Sequence, residues 1–349
     1  MKKMYFSCLA ALLAASSALA ADGATIFTPL QQLAENNPVI EVNRGVIRGG
    51  GVIACRVLEN EGSITLCDLP SIIKARVTNR GQLEILHDQA VFTEDFHNHG
   101  TLKTTDTVVR FEGIYEEDGA YISDPSDNHF SQDFIVGDNG YVVGGLGDNF
   151  YMRADLISSS TQNESWNTVL SLLEFRDGFR DGSYDPDHDF YITGDDYGAQ
   201  TGGYTDNFAW GILNIAANNT LRLVDGNTDA GGGLYVGDIT GLVISGYDIT
   251  NISSPDGINI YYRQESAANS YLDGETYDLE NDGLLIPVWP KSPDIDHDGD
   301  VDGADLALLA ADMNSSCPAY GSCAGDINDN GQVDEADMQI FASAFGGVI

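Results

Sequence analysis

Two stretches of this chain, 294–305 and 326–337, carry the same twelve-residue acidic pattern 32 positions apart, and no other feature constrains so tightly what its end can fold into. In the first, Asp294, Asp296, Asp298, Asp302 and Asp305 hold positions 1, 3, 5, 9 and 12 around Gly299 at position 6. In the second, Asp326, Asn328, Asn330, Asp334 and Asp337 fill the same slots around Gly331. Side-chain oxygens at alternate positions, with a glycine permitting the sharp turn, suit a hard cation that takes about six to eight oxygen ligands, which points to calcium, one ion per loop. Position 7 would add a backbone carbonyl, from Asp300 and Gln332. Ordinary turns are also built from Asp and Gly, but two copies agreeing at every ligand slot argue against that reading.

The residues after each loop agree as well. Leu306, Leu309 and Met313 stand at the same offsets as Met338, Phe341 and Phe345, the apolar stripe of a helix that starts near the last ligand. Each unit is thus a loop and one helix, and the two stripes can pack together. On these residues Asp294–Gly346 resembles a type I dockerin, the duplicated F-hand module of secreted polysaccharide-degrading systems, in which position 12 is Asp, as are Asp305 and Asp337. The resemblance implies two bound Ca²⁺ ions and a cohesin-like partner read through loop positions 10 and 11, here Gly303-Ala304 and Glu335-Ala336. The helix positions that carry basic cohesin-reading residues in the family are Ala310-Ala311 and Ala342-Ser343 here, without those charges.

The N-terminus begins with Lys2 and Lys3, runs through an apolar Leu9–Ala15 and reaches Ala18-Leu19-Ala20, which reads as a signal peptide over 1–20 and an exported, bacterial protein. Its apolar core is too short to span a bilayer, and no other apolar stretch is long enough. After cleavage four cysteines remain, and in an oxidising compartment short spacing suggests the pairs Cys55–Cys67 and Cys317–Cys323. A zinc site would need a C-x-x-C pair or matched histidines, and neither is present. The formal net charge is −38, so nucleic acid and anionic membranes are excluded as natural partners, while divalent cations are attracted.

Residues 21–288 are short apolar alternations separated by Gly, Asn and Asp, such as Gln82–Leu86, Thr107–Phe111 and Thr220–Val224. Period-two alternation with frequent turn residues predicts strands, and an all-β region without helices. Asn98-His99-Gly100-Thr101-Leu102 and Asp138-Asn139-Gly140-Tyr141-Val142 each put a polar turn before a short strand. This favours a β-solenoid over the alternative β-sandwich, although no single fixed period is apparent. Strings such as Gly147–Tyr151, His188–Tyr191 and Gly257–Tyr262 make residues 98–287 resemble exported passenger-like β proteins of the PEP-CTERM type. Those usually close on a Pro-Glu-Pro sorting tail, whereas Gly346–Ile349 stands here. Trp289-Pro290-Lys291-Ser292-Pro293 reads as a stiff, extended linker over 289–293.

Catalytic chemistry is harder to find. A glycosidase needs two carboxyl groups at a set separation, and among 54 acids Asp95, Glu174 and Asp189 are no better than others. His97 and His99 could share one strand face and hold a metal, and the acidic run Asp185–Asp189 could hold calcium loosely, but an ordinary polar turn explains both. His87, His129 and His297 stand alone. Trp166, Trp210 and the Tyr261-Tyr262 pair read as core before they read as sugar-stacking platforms. No G-x-S-x-G elbow, P-loop or Cys-His pattern occurs. The composite expectation is an exported calcium-binding protein whose C-terminal module attaches an all-β display or binding region to a surface or protein partner. The alternatives are a secreted carbohydrate-active enzyme acting on polysaccharide and a structural surface-layer component.

Overall fold

The computed structural model describes residues 25–27, 40–180, 183–226, 231–315, 323–328 and 332–347. The leader expected at 1–20, Cys317 and Asn330 lie outside them.

The protein is mostly β, as the alternation predicts. Among the described residues twenty-six strands join one sheet, and its pairings are overwhelmingly parallel. Among the described residues antiparallel pairing is limited to three short strand pairs and one isolated bridge, Asp195 with Gly232. A sandwich would be built from antiparallel strands; here strands pair with others about one repeat further on. Val77 pairs with Phe96, Phe96 with Tyr115 and Tyr115 with Phe134, each step 19 residues long. The same step relates Gln82 to Thr101 and Thr101 to Ala120. One residue type therefore stacks on its counterpart from repeat to repeat. Phe92, Phe111 and Phe130 form one such column, with centroids 5.2 Å apart at each contact. Phe96 and Tyr115 stack likewise at 5.2 Å. All five rings are at most 1% exposed, so alternate positions face a continuous aromatic and aliphatic core.

Two further columns govern how the chain turns. Asp68, His87 and Asp106 each adopt left-handed backbone, with φ of 69°, 56° and 48°, at equivalent corners; Asp and His tolerate that region better than most residues. At the other corner Gly62, Gly81, Gly100 and Gly119 stack so closely that a Cβ on any of them would lie 2.0–2.2 Å from the carbonyl oxygen of the glycine below.

The expected Cys55–Cys67 bridge is absent: both residues are thiols. Cys55 lies on the strand Val52–Asn60, where the register against Ser71–Asn79 shifts, and its Sγ donates to Val57 O at 3.5 Å. Cys67 follows the strand Ser63–Leu66, its amide bonds to Gly49 O, and its Sγ donates to Asp68 at 3.2 Å. Closeness in sequence does not bring them together because they fall in different strand columns. Burial, and then the Asp68 carboxylate, push the Cys67 thiol pKa up.

Two α-helices follow the last strand, Leu284–Val288: α1 (Gly303–Asp312) and α2 (Glu335–Ala344). They belong to a small separate core of Ile295, Val301, Leu309, Ile327, Val333 and Phe341. Leu309 and Phe341 are buried as the stripe predicts, but Leu306 and Phe345 are 37% and 54% exposed. No helix among the described residues is long and apolar enough to cross a membrane.

Candidate metal centre

Each acidic loop closes on its own helix by the same device. Asp302 is the N-cap of α1 and accepts from Ala304 N at 2.7 Å, while Asp305, three positions on, accepts from Asp302 N at 2.8 Å. Asp334 and Asp337 repeat this on α2, at 2.7 and 2.9 Å. Positions 9 and 12 of the loop thus form a capping box, which satisfies orphan amides of the first helical turn. This explains why the helices begin inside the loops.

The position 12 carboxylate also reaches back across its loop. Asp305 Oδ1 accepts from Ile295 N at 2.6 Å and Asp296 N at 3.0 Å, and Asp337 Oδ1 accepts from Asn328 N at 3.0 Å. Both acids are fully buried, and Asp294 and Asp326 at position 1 are nearly so. Asp294 accepts from Asp298 N and Gly299 N, at 3.2 and 3.1 Å. Gly299 makes that turn at φ 98°, with His297 left-handed beside it at 59°.

Position 8 ties the two units together. Val301 bonds Gly347 O and Gly346 N just after α2, while Val333 bonds Ser315 O and Asn314 N just after α1. The residues leaving each helix therefore bond the other unit's loop, and Val301 and Val333 are both fully buried.

Carboxylate oxygens of Asp294, Asp296 and Asp305 lie within 4.8 Å of one another, and so do those of Asp300, Asp302 and Asp305. Asp305 belongs to both groups. An all-carboxylate set at this spacing suits a hard cation coordinated at about 2.3–2.6 Å and offers nothing to a soft one. Without a cation the loop works against itself. Loss of hydration and then the neighbouring Asp298 and Asp305 push the exposed Asp296 carboxyl up, and Asp298 first of all pushes up Asp300. Asp305 goes the other way: burial alone would raise it, but the amides of Asp302, Asp296 and Ile295 together hold it below the usual range. In the second loop Asp326, Asn328, Gln332, Asp334 and Asp337 are described and keep the same frame. Gly303, Ala304, Glu335 and Ala336, expected to read a partner, are exposed on the first turns of the two helices.

The other sequence candidates are engaged elsewhere. His97 and His99 each meet an acid one repeat on, Glu116 at 2.6 Å and Asp118 at 3.5 Å, and neither joins a three-ligand cluster among the described residues. Asp189 holds Arg222 through two contacts of 2.8 and 2.5 Å, Glu174 holds Arg176, and Asp95 lies 3.9 Å from Arg76. Trp166, Trp210, Tyr261 and Tyr262 are buried. An open groove of about 470 Å³ runs past His87, Asp88, Asp106 and Asp127, and no Trp, Tyr or Phe lines it.

The sequence reading missed a second polar system altogether. Asn43, Asn60, Asn79 and Asn98 form a ladder of side-chain amides, each donating to the next at 2.7–2.8 Å, and the ladder ends on the buried Glu117. Its signal was present as N-x-G at 43–45, 60–62, 79–81 and 98–100, with Glu117-Asp118-Gly119 as the fifth copy. No known protein family, no curated protein and no solved structure matches this chain.

Proposed function

We propose that this is an exported calcium-binding protein in which a type I dockerin-like module, residues 294–346, anchors a parallel β-solenoid to a cohesin-like protein or cell-surface component. The solenoid, residues 21–288, serves display or binding. The observation that carries the reading is the repeated frame of the two acidic loops. Position 12 in each takes the amides of positions 3 and 9, so ligand geometry and helix start are one construction. Six aspartates crowd the first loop, and a divalent cation would relieve their mutual repulsion. The solenoid part of the reading is supported by the 19-residue parallel step and the stacked columns of Phe, Asn and Gly.

Calcium would bind through Asp294, Asp296, Asp298, Asp302 and Asp305 in the first loop and Asp326, Asn328, Asn330, Asp334 and Asp337 in the second, with Asp300 and Gln332 at position 7. It would supply charge neutralisation and fix the loops against their helices. Calorimetric titration of the full-length protein should detect uptake of two ions, and replacing Asp294 and Asp305 together with alanine should remove one. Absence of any calcium heat in the intact protein would sink the proposal. Attachment is tested by retention on the producing cell's surface fraction, which should be lost in chelator and regained on adding calcium.

A further inference from the structure

A cleft of about 280 Å³ opens where the β region meets the C-terminal module, walled by Tyr204, Thr201, Arg263, Val288, Lys291 and Ile327. Basic residues are scarce in this chain, 16 against 54 acids, yet two of them converge here. Among the described residues no carboxylate lies within ion-pair distance of either. The Arg263 guanidinium lies 4.4 Å from the Tyr204 ring centroid, a cation–π contact that holds it at the cleft. The ring is itself a fixed wall, since the Tyr204 hydroxyl donates to Val236 O at 3.2 Å. Lys291 Nζ spends one donor on Cys323 O at 2.8 Å and has two more. Thr201 closes one side of the wall. Its Oγ1 is one of two buried side-chain oxygens among the described residues with no hydrogen-bond partner, sealed inside the wall rather than open to the cleft.

We propose that this cleft binds a small organic monocarboxylate, with the anion held between Arg263 and Lys291 and an apolar or sugar-like body resting on Val288, Pro290 and Ile327. Two cations, one planar and one a point charge, suit a carboxylate that needs bidentate capture on one side. Glu265 lines the same cleft and disfavours a second negative charge, which selects against phosphate. Size agrees with the chemistry, because the volume fits a single ring bearing one acid group.

The test is calorimetric titration of the full-length, calcium-loaded protein with glucuronate and with benzoate, against glucose, benzyl alcohol and inorganic phosphate. At least one carboxylate should bind and its neutral analogue should not. Replacing Arg263 and Lys291 together with glutamine should weaken binding by about tenfold or more, while Glu265→Gln should tighten it. The Glu265 change moves affinity in the opposite direction to any unfolding and so separates charge from damage. If neither carboxylate binds at millimolar concentration, if binding survives the double replacement, or if phosphate binds more tightly than both, the assignment is wrong.

Discussion

Asn98 Nδ2 donates to both carboxylate oxygens of Glu117, at 2.8 and 2.9 Å, and so ends a ladder of amides on an acid that has no exposed surface. Glu117 also accepts from the Tyr115 hydroxyl and from Gly119 N, each at 2.7 Å. These donors favour the ionised carboxylate. Burial outweighs them and pushes the Glu117 pKa up to about 8.

That shift fixes a pH dependence. The folded pKa lies above the ordinary value of 4.5, so folding takes up a proton between the two. The stabilising contribution is fully present below the unfolded value, declines as pH rises, and is lost once pH passes about 8. The slope within that window is on the order of 1.4 kcal/mol per pH unit. Melting temperatures in saturating calcium should therefore fall between pH 6 and pH 8.5, and Glu117→Gln should flatten the fall. Parallel profiles for the two proteins would show that Glu117 is ionised in both states.

The middle of the ladder should be the costliest place to cut it. Asn79 is fully buried, accepts from Asn60, and donates to Asn98 Oδ1 at 2.7 Å and Thr101 O at 3.1 Å. Asn79→Ala strands acceptors on one side and a donor on the other, a loss of about 2–4 kcal/mol. Chemical denaturation should show it as a lower midpoint, and a shift under about 0.5 kcal/mol would mean that water replaces the amide.

Two glycines should respond with opposite signs. A Cβ on Gly81 would sit 2.0 Å from Gly62 O, a backbone atom held by its own stacked neighbours, so Gly81→Ala should cost several kcal/mol, on the order of 2–5. Gly303 has nothing within 4 Å of its missing Cβ and starts α1. Gly303→Ala should be neutral or stabilise by up to about 1 kcal/mol. Thermal melts of the two variants check both, and a harmless Gly81→Ala would mean that the column can separate.

How much of this was legible follows from which signals stay local. The repeated acidic loops were, because every slot of the pattern lies within twelve residues. Strands such as Gln82–Leu86 were, because alternation is a local pattern. The 19-residue period was not recognised, because it holds unbroken only over a few repeats. Beyond Phe134 the step lengthens to 22 at Leu156 and 34 at Phe190, as loops are inserted between strands. Asn98 was read as a turn residue beside two histidines, whereas its amide is the only part of that tripeptide that faces inward. The cysteine pair failed for the complementary reason. Twelve residues carry Cys55 into a different strand column from Cys67, and spacing alone cannot show which column a residue occupies. Leu306 and Phe345 were placed on a buried stripe by periodicity, but helices of ten residues in a core of this size bury little more than Leu309 and Phe341.

The sharpest check on the loops compares two aspartates in one of them. Asp305 is held by three backbone amides and lies below the usual carboxylate range, so the fold benefits from its charge even before a cation arrives. Asp300 is exposed and is pushed up, chiefly by Asp298, so its charge opposes the fold. In chelator, Asp305→Asn should therefore lower the melting temperature of the C-terminal helices, because an amide nitrogen would face a backbone donor and the capping box would be lost. Loss of such a cap costs about 1 kcal/mol. Asp300→Asn should raise the melting temperature under the same conditions. In calcium the two converge: both variants should bind the ion less tightly than the parent, Asp305→Asn far less, because each removes negative charge from a site built to neutralise it. Circular dichroism melts of the full-length protein in chelator and in calcium read all four values. Shifts of the same sign for both variants in chelator would mean that the crowding of the first loop is not what destabilises it, and the case for metal-driven ordering would go with it.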